Sequence, residues 1–274
     1  QWTTDLTSLT DQQVAEVRRF IAGDYDVVLG MLERRMDDRA GIGSSVRQAI
    51  SRVLRSKPKP APIHRALMSL ADRGGAVTIV TTNFERLLQA SARRGSRVQT
   101  YTLGGIPRPG GSTEFAGVFH IHGVLDRDPS RASDLVVSDQ DFGEYYMRRR
   151  IVPDFIYDAA RIFHLVLVGY SANDAPMRYL LNSVAADDSR FEDVRERFTF
   201  IGGNSIDHVT LEDWRGRRIT PIHYDAANAH SALLTAFERW AELSAINGRK
   251  GAVDAEVRRI VRKSRAAADV ADRD

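Results

Sequence analysis

The sequence predicts an α/β protein: a mostly parallel sheet with helices on both faces, preceded by a helical segment. Two observations point to the sheet and one to the helices. The runs AVTIV (76–80) and HLVLVG (164–169) are short and continuously apolar, the pattern of strands buried on both faces. Each is followed by a stretch of helical periodicity, FERLLQASARR and DAPMRYLLNSVA, so strand and helix alternate. Ahead of them, VAEVRRFIAGDYDVVLGMLERRM and VRQAISRVL repeat apolar positions every three or four residues. Residues 1–60 therefore read as a helical segment packing on the core.

The remaining elements follow in order. SKPKPAP (56–62) carries three prolines and marks the passage into the core, residues 61–245. IHRALMSLADRGG reads as a helix stopped by a glycine pair. VQTYTL (98–103) is a candidate strand, then comes the Gly/Pro-rich loop GGIPRPGGST (104–113), then VFHIH (118–122) and DLVVS (134–138) as further strands. DFGEYYMRRR and VPDFIYDAARIF have helical spacing. FTFIGG (198–203) and ITPIHY (219–224) are expected strands, and AHSALLTAFERWAEL a closing helix. Residues 246–274 are charged, alanine-rich and helix-prone, which reads as a linker or docking tail.

Composition excludes several classes. The hydrophobic fraction, 43%, supports an ordinary core, and no apolar run approaches the length of a membrane span. The 39 basic groups nearly balance the 36 acidic ones, for a net charge of +3, so direct nucleic-acid binding is not indicated. There is no cysteine. Disulfides, thiol nucleophiles and a cysteine zinc module are thereby excluded, and a cytoplasmic setting fits. The seven histidines lack paired metal-ligand spacings apart from His120 and His122, which a strand would direct to one face, so no metal is expected.

In a parallel sheet, ligands gather at the carboxyl ends of the strands. After AVTIV stand Thr81, Thr82, Asn83, Phe84 and Glu85. After VFHI stand His122 and Gly123, after HLVLV stand Gly169, Ser171 and Asp174, and after FTFI stands Asn204. Each has a plain structural reading beside the functional one. Thr81–Asn83 serve equally as a helix N-cap, Gly169–Asp174 as a tight turn, and a histidine on an apolar strand as a satisfied core residue. GIGSS (41–45) looks like a phosphate-cradling loop, but charged helical sequence precedes it where a buried strand is required. It reads instead as a helix–loop–helix corner.

Taken together, TTNFE after one strand, His122-Gly123 some 39 residues beyond Asn83, and GYSANDAPMRYLL after another strand resemble the sirtuin-like domain of bacterial anti-phage defence proteins. DLVVSDQDFGEYY (134–146) also resembles a stretch that these proteins carry. The resemblance covers roughly residues 60–245. It implies a Rossmann-like core that binds NAD as substrate and hydrolyses the bond between nicotinamide and ribose, giving nicotinamide and ADP-ribose. By motif, Asn83 would sit beside the nicotinamide ribose and the attacking water, and His122 would be the catalytic histidine. Thr81, Thr82, Glu85, Gly123, Gly169, Ser171, Asp174 and Asn204 would contact the nucleotide. His120 would be packing. The resemblance also implies a homo-oligomer or a complex with a defence partner protein. Without the four zinc-binding cysteines of sirtuin deacylases, hydrolysis is the first expectation. A non-catalytic sensor of NAD or ADP-ribose and a zinc-free deacylase are the alternatives.

Two departures from the family pattern bear on the site. Glu85 stands where members more often have Asp, which alters the reach of the carboxylate. Nothing before residue 60 supplies the family's opening strand and Gly-Ala-Gly-x-Ser loop. The expectation is that about 20–50 residues ahead of Gln1 carry that strand and loop and complete the sheet beside AVTIV.

Overall fold

The computed structural model describes residues 8–37, 44–55, 59–72, 77–92, 98–110, 115–125, 135–170, 175–187, 194–244 and 250–262. It is an α/β structure of parallel strands flanked by helices, and three helices precede the core. These are α1 (Asp11–Ala22), α2 (Tyr25–Asp37) and α3 (Ser45–Leu54). Thr10 begins α1, its hydroxyl accepting from the Gln13 N–H while the Gln13 side chain accepts from the Thr10 N–H. Gly23, in the left-handed region at φ +85°, ends it. Ser44 caps α3 by accepting from the Arg47 N–H. Of GIGSS, Ser44 and Ser45 are thus helix cap and first turn, and residues 41–43 lie outside the described residues.

The core follows as α4 (Pro62–Ala71), β1 (Thr78–Thr81), α5 (Leu87–Ala90), β2 (Thr100–Thr102), β3 (Gly117–His120), α6 (Asp139–Phe142), α7 (Ile151–Ile162), β4 (Leu165–Leu167), α8 (Ala175–Asp187), β5 (Arg197–Gly202), α9 (His208–Gly216), β6 (Thr220–Tyr224) and α10 (Ala227–Leu243). A π-helical segment, Gly143–Arg148, continues α6, and α11 (Lys250–Arg262) lies in the tail.

The strands form two three-stranded parallel sheets, ordered β1-β3-β2 and β4-β5-β6. β1 pairs with β3 in the register Thr78↔Gly117 to Thr81↔His120. Gly117 is required here: a Cβ on it would lie 2.7 Å from the Tyr101 ring and 2.9 Å from the Gln99 carbonyl. The two sheets are covered by shared helices. On one side, α4 touches β1, and its Ala66 packs with Leu233 and Phe237 of α10 against Val168, Phe200 and Tyr224. On the other side, Val152, Phe155, Ile156 and Ala160 of α7 join Phe119 of β3 to Leu165, Leu167, Ile201 and Ile219 in one cluster. β1 and β4 are edge strands of their sheets, and each leaves a valine exposed, Val80 at 38% and Val166 at 36%.

Three expectations change. DLVVS is not a strand. Leu135, Val136 and Val137 are buried, but their backbone groups pair with side chains and with the His122 carbonyl, not with a neighbouring strand. The helix after β1 is one turn, Leu87–Ala90, closed where the Ser91 hydroxyl donates to the Leu87 carbonyl. VFHIH ends as a strand at His120, so His120 and His122 do not share a strand face.

Candidate active site at the carboxyl ends of the strands

Every pairing between the described strands is parallel, so the carboxyl ends of each sheet's strands emerge along one edge. β1 and β3 are neighbours in register, and the turns that follow them leave side by side. The Ile121 N–H donates to the Thr81 carbonyl at 3.0 Å, and the Leu125 N–H to the Phe84 carbonyl at 2.8 Å. Phe84 packs beneath this junction against Leu125, Leu135 and Val137.

Within the first turn, the Thr81 hydroxyl accepts from the Asn83 N–H at 3.1 Å. This is the short Ser/Thr turn that such residues favour. The exposed Asn83 side chain donates through Nδ2 to Glu85 Oε1 at 3.2 Å, so the carboxylate holds the amide in one orientation. Thr82 and Glu85 are half-buried beside it. In the second turn, the Gly123 N–H donates to the His120 carbonyl at 3.1 Å. Gly123 has φ +95°, a conformation that glycine adopts without the penalty a side chain brings.

The two histidines have separate partners. His120 is fully buried, with Nδ1 2.8 Å from the Asn83 carbonyl and Nε2 2.8 Å from Gln89 Nε2. Nδ1 donates to the carbonyl and Nε2 accepts from the amide, the one tautomer that satisfies both. Burial lowers the His120 pKa, opposed by the Asn83 carbonyl, and the neutral ring results. His122 is 8% exposed and lies across from the π-helical segment. Its Nε2 is 2.6 Å from the Tyr146 hydroxyl, and the Phe142 ring meets it edge-on at 5.6 Å. Tyr146, Phe142 and Gln89 were not singled out from the sequence. Phe142 and Tyr146 lie in DFGEYY, which read there as helical spacing and as part of a stretch resembling the family's, and Gln89 carried no signal.

The second sheet supplies the other candidates. Gly169, two residues past β4, is exposed and left-handed at φ +64°. Asn204, two residues past β5, is exposed, after a Gly202 whose Cβ would strike the Tyr224 ring at 2.7 Å. Ser171 and Asp174 lie outside the described residues. The structure thus brings Asn83, Glu85, His122 and Gly123 onto adjoining turns of one sheet and places Gly169 and Asn204 on the other. A recess of about 360 Å³, lined in part by Arg195, Arg197, Arg215 and Arg218, lies at the opposite, amino ends of β5 and β6. Among the described residues, no three His, Asp or Glu side chains are grouped as metal ligands.

An α/β core of parallel strands with Asn and His on adjoining carboxyl-end turns defines a nucleotide-site class of protein. Residues 77–222, more than half of the chain, match the SIR2-like domain, and the chain belongs to that family, whose members are in general NAD-dependent enzymes. The chain is also 35% identical over 240 residues to an uncharacterised protein, y4cA, of Sinorhizobium fredii (strain NBRC 101917 / NGR234). That match takes in 84% of this chain and 20% of the relative, so the chain spans about a fifth of the relative's length.

Proposed function

We propose that this domain hydrolyses NAD at the nicotinamide–ribose bond, releasing nicotinamide and ADP-ribose, and that it serves a bacterial defence protein by depleting NAD. The observation that carries the reading is the pair of adjoining turns after β1 and β3. They present an amide fixed by a carboxylate, Asn83 with Glu85, next to a histidine–glycine turn, His122 with Gly123. Breaking this bond develops an oxocarbenium-like ribose that water captures. An oriented asparagine amide can align ribose and water without adding charge. An imidazole titrates near neutral pH and can polarise or deprotonate a ribose hydroxyl. Thr81, Thr82, Gly123, Gly169 and Asn204 line the carboxyl edges along which the rest of the dinucleotide would run, with Ser171 and Asp174 completing the set by motif.

The burial of His122 behind Tyr146 and Phe142 favours a second reading, a module that binds NAD or ADP-ribose without turning it over. Incubation with NAD, followed by product analysis, separates the two. Nicotinamide and ADP-ribose in equal amounts support hydrolysis, and binding without products supports sensing. Turnover only in the presence of an acyl-lysine peptide would make the domain a deacylase. Turnover unchanged by a chelator accords with the reading, and turnover restored by zinc opposes it.

A further inference from the structure

We infer that Tyr146 is a positioning residue for His122, and that the buried cluster Glu33–Arg47–Asp141 holds Tyr146 in place, so that the N-terminal helices act on the candidate site. This rests on the assignment of His122 as the reacting histidine. The His122 ring is held through Nε2 by the Tyr146 hydroxyl at 2.6 Å, both residues being buried. Its backbone is held as well: the His122 carbonyl accepts from the Val136 N–H at 2.8 Å. Ring and main chain are therefore gripped by one segment, residues 135–148. Tyr146 reaches the ring from a π-helical segment, a local widening of the helix that recurs at functional sites.

That segment is anchored from far away in the chain. Arg47, 1% exposed, donates through Nη1 to the Leu135 carbonyl at 2.6 Å and through Nη2 to Asp141 at 2.6 and 2.8 Å. Asp141 in turn accepts from the N–H groups of Val137 and Ser138. Glu33, fully buried on α2, accepts from Arg47 Nε at 2.7 Å and from the Ser44 hydroxyl at 2.6 Å. A guanidinium buried between two carboxylates and a carbonyl fixes its neighbours in one geometry, since every displacement exposes a charge to an apolar surrounding. The path therefore runs from α2 and α3, through Arg47, into residues 135–148 and onto His122. It gives Tyr146 the part of the third group that orients a base in a nucleophile–base pair.

The test is Tyr146→Phe, which keeps the ring and removes the hydroxyl, read by the imidazole ¹⁵N resonances of histidine-labelled full chain. The His122 signals, identified by their loss in His122→Asn, should move away from their wild-type positions toward exchange between tautomers, while those of His120 stay. NAD turnover should fall roughly tenfold in kcat, with KM changed little, the scale of one hydrogen bond. Arg47→Met should reproduce the His122 shift. Unmoved His122 signals in Tyr146→Phe overturn the inference, whatever happens to activity. A wild-type chain that cleaves no NAD, with the shift still seen, overturns the proposed hydrolysis and leaves the positioning standing.

Discussion

Two histidines separated by one isoleucine are buried for different reasons. His120 joins the end of β3 to the Asn83 carbonyl and to Gln89, and its ring is neutral because burial lowers its pKa. The folded chain then binds fewer protons at this site than the unfolded chain does. The resulting stability is complete above the ordinary histidine pKa of about 6.5 and is lost as pH falls below it. Urea midpoints measured between about pH 8 and pH 5 should fall on the acid side, and His120→Gln should remove part of that slope. Parallel curves for the two proteins would contradict it. Asn83→Ala and His122→Ala should each lower NAD turnover by about 10²–10⁴-fold. Asn83 is exposed, so its variant should melt as the wild type does. Near-normal turnover in His122→Ala would remove that residue from the chemistry. The resemblance and its His-Gly motif, which falls on His122 and Gly123, had already separated the pair as an expectation. They could not show Tyr146 or Gln89, because those partners come from other elements.

At the scale of elements, segment 135–148 departs most from its sequence pattern. LVV is β-branched and apolar, as a buried strand is, and nothing local distinguishes it from one. The difference comes from Arg47 and Asp141, 94 residues apart, which occupy the backbone groups that a strand partner would need. Local propensity does not see partners at that separation. AVTIV and HLVLVG were legible as strands because each is a short, largely apolar run followed by helical periodicity, even though β1 and β4 leave Val80 and Val166 exposed. Burial alone would push the Arg47 pKa down, and the hydrogen bonds to Glu33 and the charge of Asp141 more than offset this, so the guanidinium stays charged in the interior. Arg47→Met leaves Glu33 and Asp141 buried without their counter-charge. It should cost about 3–5 kcal/mol, read by urea unfolding. A loss under about 1 kcal/mol would assign the cluster no more weight than a surface pair.

Across the whole molecule, the chain crosses from β1 to β2, inserts β3 between them, and then starts a second sheet at β4. α4 touches β1 and also packs with α10 against Val168 and the second sheet's Phe200 and Tyr224, and a parallel sheet opens a ligand crevice where its strand order reverses. The turns after β1 and β4 carry Asn83 and Gly169. A strand laid between them, parallel to both, would join the six strands into one sheet and could bring a phosphate-binding turn to the same edge. A longer polypeptide supplying such a strand should bind NAD more tightly than the 274-residue chain, as measured by calorimetry. Equal affinity would place the diphosphate elsewhere. Among the described residues, β1 pairs only with β3 and β4 only with β5, and Val80 and Val166 are exposed on these edge strands. Unpaired strand edges of this kind seed aggregation by pairing with copies of themselves. The purified chain should therefore associate and precipitate as its concentration rises, and Val80→Lys or Val166→Lys should raise its solubility, because a charge on an open edge resists pairing.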